Sequence, residues 1–99
     1  MRYDKLVKFQ MVDSVYTNKG DYEEQVINEH TEYASIVDTD FQTMAIVYGG
    51  IKQGSITMHL LNKVKYDFNR IVYEGKVYMV DQVINQRTKQ AYILSQWQT

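Results

Sequence analysis

The C-terminal third of the chain constrains the fold most, because it reads as three consecutive β-strands. Val, Ile and Tyr dominate residues 70–97, and these residue types suit a pleated, half-buried surface. Glu74-Gly75 joins the first two apolar runs, and such an acid-Gly pair is a strong hairpin signal because Gly supplies the positive φ of a tight turn. We therefore expect strands over 70–73, 76–84 and 91–97. The polar turn at 85–89 has no Gly, which leaves its geometry open.

Upstream, the pattern predicts three further strands. Alternating apolar residues indicate strands over about 5–11, 29–37 and 55–61. Between the first two, residues 13–28 combine a turn signal at Asn18-Lys19-Gly20 with an acidic run. That segment fits either a long loop or a two-stranded arm.

Residues 38–48 predict a single short helix. Four apolar residues recur at the spacing of one helix face: Phe41, Met44, Ala45 and Tyr48. Thr39 and Gln42 have the spacing of a capping box, and Gly49-Gly50 supplies a C-terminal stop. At most three turns fit, so packing on the sheet must hold this helix.

Six strands and one short helix fit a mainly β fold in one domain, 1–99. We expect a small antiparallel β-barrel with one short helix and a long loop, since closure removes exposed strand edges. Cysteine is absent, which excludes disulfides and Cys-ligated metals and fits folding in a reducing cytoplasm. No apolar run is long enough for a transmembrane helix, and the start lacks the apolar core of a signal peptide.

The charge of the chain is segregated although its net value is only −1. Residues 21–40 hold seven acids and no Lys or Arg, while the remaining chain carries eleven basic and five acidic residues. This acidic block is either a solvated face or an interface with an oppositely charged neighbour. The interface interpretation rests on four acids: Asp21, Glu23, Glu24 and Glu29. The net charge argues against an independent nucleic-acid binder held by phosphate contacts.

Catalytic and metal-binding patterns are weak. His30 and His59 are the two imidazoles, and each lies in a predicted strand among apolar neighbours. A set of His59, Ser55 and Asp67 can be assembled, but it has no motif around it. The acidic block lacks the ligand spacing of a calcium loop, and the glycines after the helix match no phosphate-binding motif. We therefore expect no catalytic residue, no cofactor and no metal.

Four stretches of the chain resemble a known family. They are the opening MRYDKLV, the strand-Asp-helix segment at 34–48, the segment VYGGIKQGSITM at 47–58, and the hairpin IVYEGKVYMV at 71–80. Together they are similar to the small head-tail joining proteins of long-tailed bacteriophages, which are called head-completion, head-closure or stopper proteins. Two features depart from that pattern: Gly49-Gly50 stands where a single Gly is expected, and the turn at 85–89 is plainly polar.

The resemblance implies a structural role at the neck of a virion. It implies a homo-oligomeric ring, of twelve copies, below the portal and adaptor proteins and above the tail proteins. Such a ring retains the packaged double-stranded DNA and docks the tail, so the subunit is made in the host cytoplasm and ends in the virion, with no membrane partner. Its long loop points into the channel. Here we assign that gating loop to Tyr48, Gly49, Gly50, Ile51, Lys52, Gln53 and Gly54.

Two alternatives stay open. One is another tail-completion protein, such as a tail terminator, which shares the virion context. The other is a small oligonucleotide-binding barrel that stacks bases on Tyr73, Tyr78 and Tyr92. The sequence also shows no long continuous apolar stripe, so we expect a monomer in isolation and a ring only on the portal–adaptor platform.

Overall fold

The computed structural model describes residues 2–87 and 89–97. It has a mainly β fold with one short helix, as the sequence predicts. The elements follow in the order β1 (Lys5–Tyr16), β2 (Tyr22–Asp38), α1 (Phe41–Tyr48), β3 (Ile56–Leu60), β4 (Arg70–Tyr73), β5 (Lys76–Gln86) and β6 (Lys89–Gln96).

The six strands form one closed antiparallel sheet in the order β1-β2-β3-β6-β5-β4. The sheet closes where β4 pairs with β1, over Lys8–Gln10 and Arg70–Val72. This pairing joins the N-terminal strand to the predicted C-terminal meander. The predicted small barrel is therefore confirmed, and closure leaves unpaired edges only where strands extend beyond the ring.

Alternating side chains fill the interior, as period-two patterning requires. β3 shows this most simply, because Ile56, Met58 and Leu60 are buried while Thr57 and His59 between them are half-exposed. The interior cluster comprises Val7, Phe9, Ala34, Ile56, Met58, Leu60, Ile71, Tyr78, Tyr92 and Leu94. β6 is buried on both faces over Ala91–Ser95, so the outer face of the sheet is also covered there.

The connection between β3 and β4, residues 61–69, packs against the interior cluster, and we call it the plug. Val64, Tyr66 and Phe68 are half-buried against that cluster. The ring of Phe9 meets Phe68 edge-on at 4.8 Å and Tyr66 at 5.9 Å between centroids. A segment that reads as a polar connection in the sequence therefore supplies part of the core.

The helix begins later than its sequence pattern suggests. Asp40 is the N-cap, and its carboxylate accepts a hydrogen bond of 2.7 Å from the Thr43 backbone N–H. The capping box predicted from Thr39 and Gln42 is wrong, because the Thr39 hydroxyl is buried and bonded to Ser55. Gly49 ends the helix in the left-handed conformation, at φ 74°, and this confirms the predicted stop.

The predicted helix face is only partly correct. Met44 is buried and Tyr48 half-buried, but Phe41 and Ala45 are exposed. Six of the eight helix residues are apolar and lie around most of its circumference, so the pattern gives no clear stripe and tertiary contacts decide which side packs. Here the decisive contact is the hydrogen bond from the Tyr48 hydroxyl to Asp81.

The first C-terminal hairpin has the predicted turn. Glu74 and Gly75 both have positive φ, at 52° and 74°, as a two-residue type I′ turn requires. The second hairpin is longer than predicted, because β5 continues to Gln86 and β6 already begins at Lys89. The predicted polar turn 85–89 is therefore mostly strand, and its residue 88 lies outside the described residues.

Residues 12–28 form a two-stranded arm, which decides between the two possibilities that the sequence left open. β1 runs on to Tyr16, and β2 starts at Tyr22 rather than at the predicted residue 29. A bulge between Met11 and Val12 marks the base of the arm. The arm makes the molecule elongated, with extents of 48 × 29 × 22 Å.

Candidate interaction surfaces

The arm projects from the barrel with no strand beside it. β4 pairs with β1 only over Lys8–Gln10, and β3 pairs with β2 only over Ser35–Asp38. Asn69 extends the contact by one step, because its side-chain amide exchanges hydrogen bonds of 2.9 and 2.7 Å with the Val12 backbone. Beyond Val12 the two strands pair only with each other, so both outer edges present backbone groups to the surroundings.

The tip of the arm carries a tyrosine pair. Tyr16 and Tyr22 are cross-strand partners whose rings meet edge-on at 5.5 Å, and they are 64% and 72% exposed. Val26 and Ile27 add further exposed apolar surface nearer the base. A lone two-stranded hairpin is only marginally stable in water, so a contact with another surface would stabilise the arm. Aromatic residues are also enriched at protein interfaces.

The four acids predicted to form an interface all lie on or beside the N-terminal half of β2. Two of them already have partners within the chain. Glu24 accepts a hydrogen bond of 3.1 Å from Arg70. Glu29 lies 3.7 Å from the Lys8 ammonium and accepts from the Gln10 amide. Exposed pairs of this kind contribute little stability, so a second copy or another protein can compete for them.

The other two acids, Asp21 and Glu23, lie near the tip of the arm. Among the residues that the structure describes, neither makes an ion pair. The backbone carbonyl of Asp21 accepts from the Thr17 N–H at 2.7 Å and closes the turn. The interface role of the four acids remains a prediction, and within residues 2–87 and 89–97 Asp21 and Glu23 are the two that make no ion pair.

A second candidate surface covers the outside of the helix and the loop after it. Residues 41–51 contain no charged side chain. Phe41, Ile46 and Ile51 are 74%, 84% and 75% exposed, and Ala45 lies exposed between them. We call these four residues the helix patch. A group of large apolar side chains exposed on a protein surface often marks an interaction site.

The helix is held on the barrel by a hydroxyl network at the start of β3. The Tyr48 hydroxyl donates to Asp81 at 2.5 Å and lies 3.2 Å from the Ser55 hydroxyl. Ser55 in turn donates to Thr39 at 2.8 Å, and Thr39 contacts Thr57 at 3.0 Å. Burial, and then the Asp81 carboxylate, raise the pKa of Tyr48, so the phenol stays protonated as the donor.

A β-bulge places Asp81 in this network. The pairing of β5 with β6 passes from Val80 to Gln82 and leaves Asp81 without a partner opposite. Bulged residues are re-aimed relative to the regular pleat, and here the carboxylate accepts a hydrogen bond from Tyr48. This contact was not predictable from the sequence, because the two residues are 33 positions apart.

The residues of the predicted gating loop separate into an anchor and a free segment. Tyr48 belongs to the helix and is fixed by Asp81, so it does not belong to a mobile loop. Gly49 and Gly54 have positive φ and fix the two ends of the loop. The exposed part between them is Gly50, Ile51, Lys52 and Gln53.

The tyrosines of the oligonucleotide-binding alternative are not available for base stacking. Tyr78 and Tyr92 belong to the core and are 7% and 2% exposed, and Tyr73 is half-buried against the same cluster. Burial raises the pKa of all three phenols. That predicted stacking platform is therefore wrong, because the alternation of the strands turns Tyr78 and Tyr92 inward.

The histidines occupy structural positions. The imidazole of His30 stacks on the Tyr66 ring at 3.8 Å, and burial lowers the pKa of His59. Ser55, the possible nucleophile beside His59 in sequence, bonds instead to Thr39 and Tyr48. In the part of the chain that the structure describes, no three His, Asp or Glu side chains group as metal ligands. No helix among those residues is long and apolar enough to span a membrane.

Two open grooves flank Trp97, and sequence reasoning did not predict them. One, of about 320 Å³, lies between the base of the arm and Arg70, whose guanidinium is 5.7 Å from the Trp97 ring. The other, of about 390 Å³, is lined by Phe68, Met79 and Tyr92 among others. The helix patch was also missed, although the uncharged run 41–51 was visible in the sequence.

No protein-family model and no curated protein sequence matches the chain. A solved structure with the same fold is the solution structure of protein SF1141 from Shigella flexneri 2a. The two structures align with a TM-score of 0.73 over 96% of this chain and 93% of that chain, at 14% sequence identity. At this identity, the likeness concerns the fold alone.

Proposed function

We propose that the protein is a structural subunit of the neck of a long-tailed bacteriophage. In this proposal it is a head-tail connector or stopper that forms a ring under the portal and adaptor, retains packaged DNA and docks the tail. The virion context comes from the sequence resemblance in residues 1–7, 34–58 and 71–80. The role as an assembly subunit comes from the surfaces described above.

One observation carries the assembly role. The helix patch presents three large apolar side chains at 74–84% exposure, on a stretch of chain that holds no charge. Exposing such a surface to water is unfavourable in free energy, and this penalty is removed when a partner protein covers the surface. The patch is convex, since it lies on the outside of a helix, and this form suits docking onto another protein rather than enclosing a small ligand.

The filled barrel interior supports the same proposal, because it argues against a chamber for a small ligand. The plug and the ring of Phe9 fill the space that a lipocalin-like barrel would offer to a small molecule. The candidate contacts are therefore on the surface: the arm, and the helix patch with the adjoining loop 49–54. Two such surfaces on different parts of the molecule suit a subunit that meets more than one neighbour.

The test is loss and restoration of the subunit in particles. Heads assembled without this protein should fill with DNA, lose it, and carry no tails, and purified protein added back should restore both DNA retention and tail joining. Electron microscopy and nuclease protection of the packaged genome measure the two effects. Heads that keep their DNA and receive tails without the subunit would refute the proposal. If purified protein instead restores unterminated tails, it is a tail terminator.

The gating role of the loop needs variants that spare the fold. Gly49 and Gly54 are unsuitable because positive φ strains any other residue there, so bulkier residues at Gly49 would also disturb the helix end. Gly50 has ordinary φ, and a Cβ there meets open space. Gly50→Val with Lys52→Glu should therefore leave folding intact and cause filled heads to lose DNA before tails attach. Lys76→Glu, at the exposed start of β5, is the matched charge control, and equal DNA retention in both variants would exclude a gating role for this loop.

A further inference from the structure

The plug and the end of the β5–β6 hairpin bring four basic side chains together. The Val64 backbone N–H donates to the Gln90 side chain at 3.1 Å, which holds the middle of the plug against the start of β6. Lys63 and Lys65 flank Val64, while Arg87 and Lys89 precede Gln90. All four are exposed, and none makes an ion pair within the described residues. We call them the basic patch.

The arm and the basic patch have opposite charge. Residues 12–28 contain four acids and one lysine, for a net charge of −3. The plug and residues 82–97 contain the four basic residues and the single acid Asp67, for a net charge of +3. The whole chain has a net charge of only −1, so the opposite charges nearly cancel in total although they are concentrated on different surfaces.

The arm and the basic patch lie on different hairpins of the barrel. In the closed strand order, the β1–β2 and β5–β6 hairpins are separated by β3 on one side and by β4 on the other. The plug reaches the base of the arm, where Asn69 bonds Val12, but within the described residues the carboxylates of Asp21 and Glu23 make no ion pair with the patch. The tip of the arm and the patch are therefore both open to a partner, and their opposite charges are complementary between two copies.

We propose that the arm of one copy docks on the basic patch of the next copy, head to tail. Asp21 and Glu23 supply the free carboxylates, and Tyr16 with Tyr22 supplies apolar contact area at the tip. A contact between two different surfaces repeats from copy to copy and closes into a ring when the rotation allows it. This inference rests on the proposed function for its ring, and it names the residues that join neighbouring subunits.

Cysteine cross-linking tests the contact directly, because the natural chain has no cysteine. Gln25→Cys on the arm and Asn62→Cys beside the patch replace neutral, exposed residues and keep every charge. We expect a mixture of the two variants, with a short bismaleimide, to form the mixed dimer at least roughly fivefold faster than either variant alone. Gln25→Cys with Gln53→Cys, in the loop after the helix, is the matched control. Equal rates for the two mixtures would overturn the proposal.

Charge reversal provides the second part of the test. Asp21→Lys with Glu23→Lys should slow the mixed cross-link roughly tenfold at low salt, as should Lys65→Glu with Lys89→Glu on the partner. Combining the two reversed surfaces should restore the rate, whereas two unrelated effects would add. Circular dichroism confirms that each variant is folded.

Packaged DNA is the competing occupant of the basic patch. Suppose that Lys65→Glu with Lys89→Glu abolishes DNA binding in a filter assay, while neither charge reversal changes the cross-linking rate. The patch then binds nucleic acid, and the proposal is overturned. The loss-and-restoration assay on heads is independent of this result. A protein that restores heads without the cross-link keeps its neck function and forms its ring through another contact.

Discussion

Two phenylalanines, one in the core and one in the helix patch, allow a matched test. Phe9 lies inside the barrel at 1% exposure, whereas Phe41 lies on the outside of the helix at 74% exposure. Replacing each with Ala removes the same atoms from opposite environments. We expect Phe9→Ala to destabilise the protein strongly and Phe41→Ala to leave its stability almost unchanged.

The magnitude follows from the contacts of Phe9. Its ring meets Phe68, Tyr66 and Tyr92 edge-on at 4.8, 5.9 and 6.3 Å between centroids. Burial of such a side chain contributes about 1.5–3 kcal/mol. Each aromatic pair adds about 0.5–1.5 kcal/mol beyond area, and truncation leaves a cavity, so we place the loss at about 4 kcal/mol. For Phe41→Ala the expected change is within about 0.5 kcal/mol, because Ala has the higher helix propensity and little burial is lost.

Urea unfolding followed by tyrosine and tryptophan fluorescence measures both variants. With an m-value of about 1.5–2 kcal/mol/M, Phe9→Ala should lower the midpoint by about 2–3 M. Hydrogen exchange should also show faster exchange in the plug, residues 61–69, since Phe9 holds Tyr66 and Phe68. If the two variants lose stability equally, the plug is not packed on Phe9 in solution, and the assignment of inside and outside is wrong.

Two further predictions concern polar groups. Tyr48→Phe should cost about 1–2 kcal/mol, since it leaves Asp81 without its donor in a half-buried site, and Asp81→Asn should cost less in the Tyr48→Phe background than alone. Thermal unfolding in a double-mutant cycle measures the coupling, and strictly additive losses would mean that the two side chains do not interact in solution. Burial raises the pKa of Tyr48, Tyr66, Tyr73, Tyr78 and Tyr92, so the folded state keeps these phenolic protons above the pH at which the unfolded state releases them, about 10. The resulting stability is complete below that pH and is lost as pH rises through the folded-state pKa values. Urea midpoints measured between pH 8 and 11.5 should fall at the alkaline end, less steeply in Tyr66→Phe, and a flat profile would contradict the buried phenols.

The regular parts of the fold were predictable because their signals are local. Strict alternation marked β3, and Glu74-Gly75 marked the β4–β5 hairpin with the turn chemistry that the structure has. The C-terminal stop at Gly49 was equally visible, since a left-handed residue after a helix needs only its own backbone freedom. Element bounds were less accurate, most clearly where β1, β2 and β5 extend beyond the barrel.

The candidate surfaces were only partly visible. The acidic block was read from composition, but the internal partners of Glu24 and Glu29 come from β4 and β1 and could not be seen. The helix patch could have been found from the uncharged run 41–51. It was missed because Phe41 and Ala45 also fit a face that packs on the sheet, and an eight-residue helix offers too few positions to choose between the two sides.

Local sequence signals were sufficient to predict the strand content, the first C-terminal turn, the helix end and the segregation of charge. These properties depend on backbone preference and on side chains a few positions apart. The tertiary structure decided that residues 61–69 plug the barrel, that 12–28 is an arm rather than a loop, and that Asp81 meets Tyr48. It also brought the plug, with Lys63 and Lys65, against the start of β6, beside Arg87 and Lys89. Each of these outcomes depends on contacts between segments distant in sequence, and their energies arise only when the sheet closes.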